Sequence, residues 1–253
     1  MSRIGIVMAA KDYGRWIVAG VNSIILQTHE DWELVIVDYG SKDGSHSMYQ
    51  KWSGDEPRIT WVDFKPSTDS PVPLEAHNEG FRILKARGEC DLIVKFDPDD
   101  VMMPNFLQYQ VAHFDRDPNL MVTWTAYQYC DEGTVAYGRR FDCSAWHDKL
   151  PEECLVPETY MVRATALEEI DGWEWEWGKL GIMAVFDRFL RLLTHFGPDR
   201  FKYLDEVLFL YRQHPGQLSQ IPHVQQFGDE RRQVADGYWL RLEKTGGMVR
   251  DDL

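Results

Sequence analysis

CDLIVKFDPDDVMMP, from Cys90 to Pro104, joins a short apolar run to three closely spaced carboxylates. Asp91 to Phe96 is rich in β-branched and aromatic residues and reads as a buried strand. Pro98 cannot donate to a sheet ladder, so the strand ends and the chain turns between Asp97 and Asp99. Asp97, Asp99 and Asp100 repel one another at the tip of such a strand and call for a counter-charge. An Asp-x-Asp at a strand end offers hard oxygens to Mg²⁺ or Mn²⁺ and leaves coordination positions free for phosphate oxygens. The competing reading is structural: a turn in which Asp100 caps a helix that starts near Pro104.

Upstream, Ile4 to Met8 is a strand that Ala9, Ala10, Lys11 and Asp12 leave, and Trp16 to Gln27 follows at helical spacing. Glu33 to Val37 is a second strand, ended by the polar, glycine-bearing turn Asp38 to Ser45 that leads into another helix. Ile59 to Val62 is a third, and Leu74 to Arg87 is a helix with Gly88 at its C-cap. This alternation predicts an α/β fold, a mostly parallel sheet with helices on both faces. Ligands of such sheets sit beyond the carboxyl ends of the strands. The polar tips after Met8, Val37 and Phe96 then share one edge, which points to a nucleotide or phosphate pocket.

The chain has 253 residues, enough for one large domain, and a net charge of −14 that disfavours a nucleic-acid partner. An anionic substrate needs a local cation on such a background. Four cysteines without metal-site spacing read as free thiols. Ile4 to Ala10 is too short for a secretory leader and no apolar run reaches membrane-spanning length, so a cytoplasmic protein, free or peripheral to a membrane, is expected.

Past the acidic loop, Leu107 to Phe114 reads as helix, Met121 to Tyr127 as a strand in a mixed part of the sheet, and 131–157 as irregular. Thr165 is placed to cap a short helix, Ala166 to Ile170. Trp173-Glu174-Trp175-Glu176-Trp177 alternates indoles with carboxylates; it is either a tryptophan-rich satellite cluster or a platform for a sugar ring. Asp187 lies in an apolar helix, Phe186 to Leu192, where Arg188 or Arg191 are its natural partners. Val207 to Tyr211 is a strand followed by Arg212-Gln213-His214.

IGIVMAAKDY, HEDWELVIVDYGSKDGS and LIVKFDPDDVMMP together resemble the family 2 glycosyltransferases, whose fold is GT-A. The likeness extends through GIMAVFDRFLRL and YRQHPGQLS and covers most of residues 3–219. It implies an inverting, hexosyltransferase-type enzyme with a Rossmann-like sheet, a nucleoside-diphosphate sugar donor, Mn²⁺ or Mg²⁺, and a hydroxyl acceptor in glycan synthesis. Carried over by position, Asp99 is the principal metal ligand, Asp97 shares the metal or meets the donor ribose, and His214 completes the shell or bonds phosphate. Asp38 and the backbone at Ala9 line the nucleoside pocket, Arg212 meets the diphosphate, and Ser219 bonds phosphate from a closing loop. Asp187 is the base, and Trp173, Glu174, Trp175 and Glu176 lie on the acceptor side.

Three departures stand out. Phe186 occupies the place where the family often has Glu before the base. Tyr39 and Lys11 occupy positions where uridine-using relatives carry an acid and an aromatic, which makes UDP, dTDP and GDP all candidates for the donor. The division expected is a transferase domain over 1–220, with a donor half (1–104) and an acceptor half (105–220), and a helical extension over 221–253 that packs on the core or forms a homodimer. The alternative is a catalytically silent nucleotide- or carbohydrate-binding module on the same fold; retention of Asp97, Asp99 and Asp187 favours the enzyme, since a binding module needs no base.

Overall fold

A computed structural model describes residues 2–47, 56–67, 73–145, 157–172 and 184–217. The first half is built as the periodicity predicts. Strand β1 (Ile4–Ala10) leads into helix α1 (Ile17–Ile25), then β2 (Trp32–Asp38), β3 (Ile59–Asp63), helix α2 (Leu74–Arg87) and β4 (Leu92–Lys95). Strands β1, β2 and β4 are buried along their whole length, which is why they read as continuous apolar runs. Gly88 closes α2 in the left-handed conformation, φ 65°, with its N–H donated to the Leu84 carbonyl. Residues 45–47 begin the helix expected after the second strand; the rest of it lies outside the described residues.

The second half folds back on the first. It comprises the two-residue strand β5 (Val101–Met102), helix α3 (Phe106–Arg116), β6 (Val122–Cys130), β7 (Ala136–Phe141), β8 (Met161–Arg163), helices α4 (Ala164–Glu169) and α5 (Ala184–Phe196), a 3₁₀ turn (Pro198–Arg200) and β9 (Phe201–Arg212). Among the described residues the strands form one sheet in the order β3-β2-β1-β4-β8-β6-β9-β5, with β7 paired to β6. Pairs β3–β2, β2–β1, β1–β4 and β6–β9 are parallel. Strand β8, antiparallel to both β4 and β6, joins the two parallel parts.

Two cores lie against opposite faces. Ile17, Val21 and Ile24 of α1 pack with Phe106, Leu107 and Val111 of α3. Phe81 and Leu84 of α2 share the other cluster with Leu167 of α4 and Phe189 and Leu192 of α5.

Several sequence expectations change. The stretch 131–157 is not all irregular: β7 forms a hairpin with β6 across a turn in which Asp131 Oδ1 accepts the Val135 N–H at 2.8 Å. The short helix begins at Ala164 rather than Ala166 and its N-cap is Arg163, with no side-chain cap bond, so Thr165 is inside the helix. Strand β9 starts at Phe201, six residues before the apolar run, because its first half is half exposed and polar on one side. Asp100 caps no helix; α3 follows Asn105.

Candidate active site

The acidic loop is fixed from below by α1. Gly20 and Ser23 of α1, and Gln27 just past its C-cap Leu26, meet the loop. A Cβ on Gly20 would come within 2.7 Å of the Pro98 carbonyl oxygen and 3.3 Å of that of Asp100, so only glycine lets the loop lie this close. Ser23 Oγ accepts the Met102 N–H at 3.1 Å. Gln27 Nε2 donates to the Met103 carbonyl at 2.7 Å, while its Oε1 accepts the Leu107 N–H at 3.0 Å and so satisfies an otherwise orphaned donor in the first turn of α3. The loop is clamped from above by β9, through the Val101–Leu210 and Met102–Phe209 pairs and the Met103 N–H donated to the Leu208 carbonyl at 2.8 Å.

Each of the three carboxylates then has a distinct partner. Asp97 Oδ2 accepts from Lys95 Nζ at 2.6 Å, and the same ammonium reaches Glu158 Oε2 at 2.6 Å. Burial alone would lower the Lys95 pKa, but Asp97 and Glu158 more than offset it and hold the ammonium above its usual range. Burial lifts Asp97 to about 6, with Lys95 opposing the rise and Glu158 and Asp99 adding to it. Asp100 accepts the Arg212 N–H at 2.9 Å, and burial, then Asp99 and Asp97, keep it well above the ordinary carboxylate range. Asp99 Oδ2 lies 2.9 Å from His214 Nε2, and both side chains are buried. Tyr13 stands close by; burial and then the charges of Asp99 and Asp97 push its phenol up, so it stays protonated and able to donate.

Arg212 departs from the role expected of it. Its guanidinium, 1% exposed, donates to the carbonyls of Asp99 at 2.6 Å, Asp131 at 3.0 Å and Glu132 at 2.9 Å, and lies 5.0 Å from the centre of the Trp16 ring. Buried carbonyls at the meeting of a loop, a hairpin and a strand end need donors, and the planar fork supplies them. The side chain therefore ties the acidic loop to the β6–β7 turn. Trp16 also packs against His214, with ring centroids 5.2 Å apart and the planes tilted by 37°.

The loops after β1 and β2 form the neighbouring wall. Asp38 Oδ1 accepts the N–H groups of Gly40 and Ser41, both at 2.8 Å, and thereby folds its own turn. Asp12 Oδ1 accepts the Lys42 N–H at 2.6 Å and Ser41 Oγ accepts the Asp12 N–H at 2.9 Å, so the two loops are stapled together. Ala9 does not leave the strand: β1 runs in register with β2 to the Ala10–Asp38 pair, so the Ala9 backbone is part of the ladder and the loop begins at Lys11. Lys11 and Tyr39, the two departures noted in the sequence, meet, with Lys11 Nζ 5.6 Å from the centre of the Tyr39 ring. Tyr39 is buried, and burial with Asp97, Asp12 and Asp38 nearby keeps it un-ionised.

Asp187 lies buried in the first turn of α5. Its neighbours Arg188 and Arg191 donate to the Tyr160 hydroxyl at 2.8 Å and the Ile170 carbonyl at 2.6 Å. Trp173, Glu174, Trp175, Glu176 and Ser219 lie outside the described residues, as does the segment beyond Gln217. Among the described residues, no three His, Cys, Asp or Glu side chains converge as a self-contained metal cage. The three expected ligands are not gathered in one set: Asp97 is held by Lys95, while Asp99 and His214 face each other. A carboxylate oxygen beside an imidazole nitrogen suits a divalent ion that takes its remaining positions from phosphate and water. Lys95 and Glu158 were missed in the sequence. A lysine inside an apolar run looks like an outward-facing strand residue, and its second partner is 63 positions away.

A mostly parallel α/β sheet that bears an Asp-x-Asp loop at its carboxyl edge and is completed by a mixed half is the GT-A architecture of glycosyltransferases. Residues 5–171 match Glycosyl transferase family 2, and the chain belongs to that family. An uncharacterised glycosyltransferase of Nostoc is 29% identical over 116 residues, 44% of this chain and 33% of that protein. The chain thus spans about a third of that relative. Among solved structures, Staphylococcus aureus TarS (residues 1–349) in complex with UDP-GlcNAc superposes with a TM-score of 0.65 at 13% identity, over 96% of this chain and 73% of that one. The mannosyltransferase PcManGT of Pyrobaculum calidifontis, in complex with GDP-Man and Mn²⁺, gives 0.59 at 13% identity, over 98% of this chain and 76% of that one.

Proposed function

We propose that the protein transfers a glycosyl group, with inversion, from a nucleoside-diphosphate sugar to an acceptor hydroxyl, and that a divalent ion held by Asp99 and His214 assists. The observation that carries this reading is the buried Asp99–His214 contact at 2.9 Å, at the sheet edge where this fold takes its ligand. The nucleotide sugars bound by TarS and PcManGT, and the Mn²⁺ bound by the latter, support it. When bound, Mn²⁺ or Mg²⁺ neutralises charge that develops on the leaving diphosphate. The protein's own groups divide the remaining work. Asp97, anchored by Lys95, is set to meet the donor ribose; Tyr13 offers a phenolic proton; Lys11 and Tyr39 face the base. Asp187 takes the proton of the acceptor hydroxyl as it attacks, from the side opposite the diphosphate.

The test is binding and turnover of UDP, dTDP and GDP sugars with Mn²⁺ and with chelator. Wild type should lose activity on chelation. Asp99→Ala should fold and lose metal-dependent donor binding; undiminished Mn²⁺ dependence in that variant would remove Asp99 from the ligand set.

A further inference from the structure

Lys95 and Glu158 belong to none of the sequence motifs, and the proposed chemistry gives Glu158 no part. Lys95 is the last residue of β4 and is 3% exposed, yet its charge is paired: Asp97 and Glu158 each lie 2.6 Å from Nζ. The cost of burying an ammonium is therefore met by two carboxylates of very different exposure. Asp97 is 27% exposed, whereas the Glu158 side chain is 49% exposed. Glu158 precedes β8, which runs antiparallel to β4 (Val94 opposite Met161), so it enters the sheet at the same edge where β4 delivers the acidic loop. Thr159 and Tyr160 immediately after it are buried, which fixes the backbone from which Glu158 projects. A carboxylate with one oxygen pinned by a buried cation and half its surface open is a pre-oriented acceptor. Such a group suits the hydroxyls of a pyranose, and a charged acceptor discriminates strongly between sugars that present a hydroxyl and those that do not.

We infer that Glu158, held in place by Lys95, is a specificity-determining residue that accepts hydrogen bonds from hydroxyls of the donor's glycosyl group. Lys95 is a positioning residue: it reaches the donor only through Asp97 and Glu158. This inference rests on the glycosyltransferase reading above, and it assigns the sugar rather than the nucleotide end of the donor to Glu158.

The experiment measures, by calorimetry with Mn²⁺, the affinities of UDP, GDP, UDP-glucose, UDP-galactose, UDP-GlcNAc and GDP-mannose for wild type and for Glu158→Gln. The decisive quantity is the affinity ratio of the preferred nucleotide sugar to its own free diphosphate. Glu158→Gln should lower that ratio about tenfold, the scale of one lost hydrogen bond to a charged group, while affinity for the free diphosphate moves less than about twofold. Lys95→Met, checked for folding by circular dichroism, should lower the same ratio, because it frees Glu158 to turn into solvent. A ratio unchanged in Glu158→Gln, or a loss shared equally by diphosphate and nucleotide sugar, overturns the inference and leaves the transferase reading intact. Wild type that binds none of the six, nor dTDP or dTDP-glucose, overturns both.

Discussion

Replacing Arg212 by methionine separates two roles that the same side chain could fill. A cation that serves only the diphosphate would leave the empty protein's stability nearly unchanged when removed. The structure instead gives the guanidinium three carbonyl acceptors, those of Asp99, Asp131 and Glu132, the first in a fully buried bond. Leaving one buried carbonyl unsatisfied costs about 1–3 kcal/mol, and the two partly buried ones add about 1 kcal/mol each. Together the three carbonyls account for about 3–5 kcal/mol, before any cost of losing a positive charge beside Asp99 and Asp100, with a fall in Tm on the order of 10 °C. Arg212→Lys keeps the charge but not the planar fork, and it should lose most of the same stability. Thermal melts of the metal-free protein, with UDP and GDP titrations alongside, read both quantities. Arg212→Met that melts within about 2 °C of wild type yet binds both nucleotides tenfold more weakly would refute the clamp and restore the diphosphate role.

Three further outcomes follow from the site. Asp187→Asn should keep donor affinity and lose about 10²- to 10⁴-fold in turnover, measured by steady-state transfer; near-normal turnover would shift the base to Glu174 or Glu176. Gly20→Ala, in most helices a stabilising change, should here cost about 1 kcal/mol, because the Pro98 carbonyl 2.7 Å from the added carbon is backbone and must move. A denaturant midpoint raised by the substitution would contradict that packing. Competition among UDP, GDP, dTDP, ADP and CDP at fixed Mn²⁺ should rank differently for Tyr39→Asp than for wild type, since the change removes the ring beneath Lys11; an unchanged ranking led by UDP would free Tyr39 from any part in base choice.

What could be read in the chain, and what could not, divides along physical lines. Strands β1, β2 and β4 were legible because burial on both faces demands uninterrupted apolar runs. The acidic loop was legible because proline and three aspartates cannot continue a strand. The partners of those aspartates were not. Arg212 spends its donors on main-chain carbonyls, which every residue carries, so its role leaves no trace in residue identity. Ser23 and Gly20 lie within an apolar helix and acquire meaning only when the loop docks on them. Strand β7 carries Gly138 and two arginines and is exposed over most of its length, so its sequence resembles a loop although β6 supplies the pairing. Asp100 looked like a cap because it precedes a helix; the Arg212 amide, 112 positions away, competes for it and wins.

The Asp99–His214 contact spans 115 positions of the chain. At a synthesis rate of about 5–20 residues per second, roughly 6–23 s pass between the emergence of the first partner and of the second. During that interval the parallel β1–β4 layer can form, since its strands are already made, but the acidic loop lacks the strand that clamps it and the histidine that faces it. A ribosome-bound or prematurely terminated chain therefore holds three aspartates that cannot be assembled into a working centre. The last described strand thus serves as a completion check: the Asp99–His214 pair exists only when the chain has been read through β9 to His214.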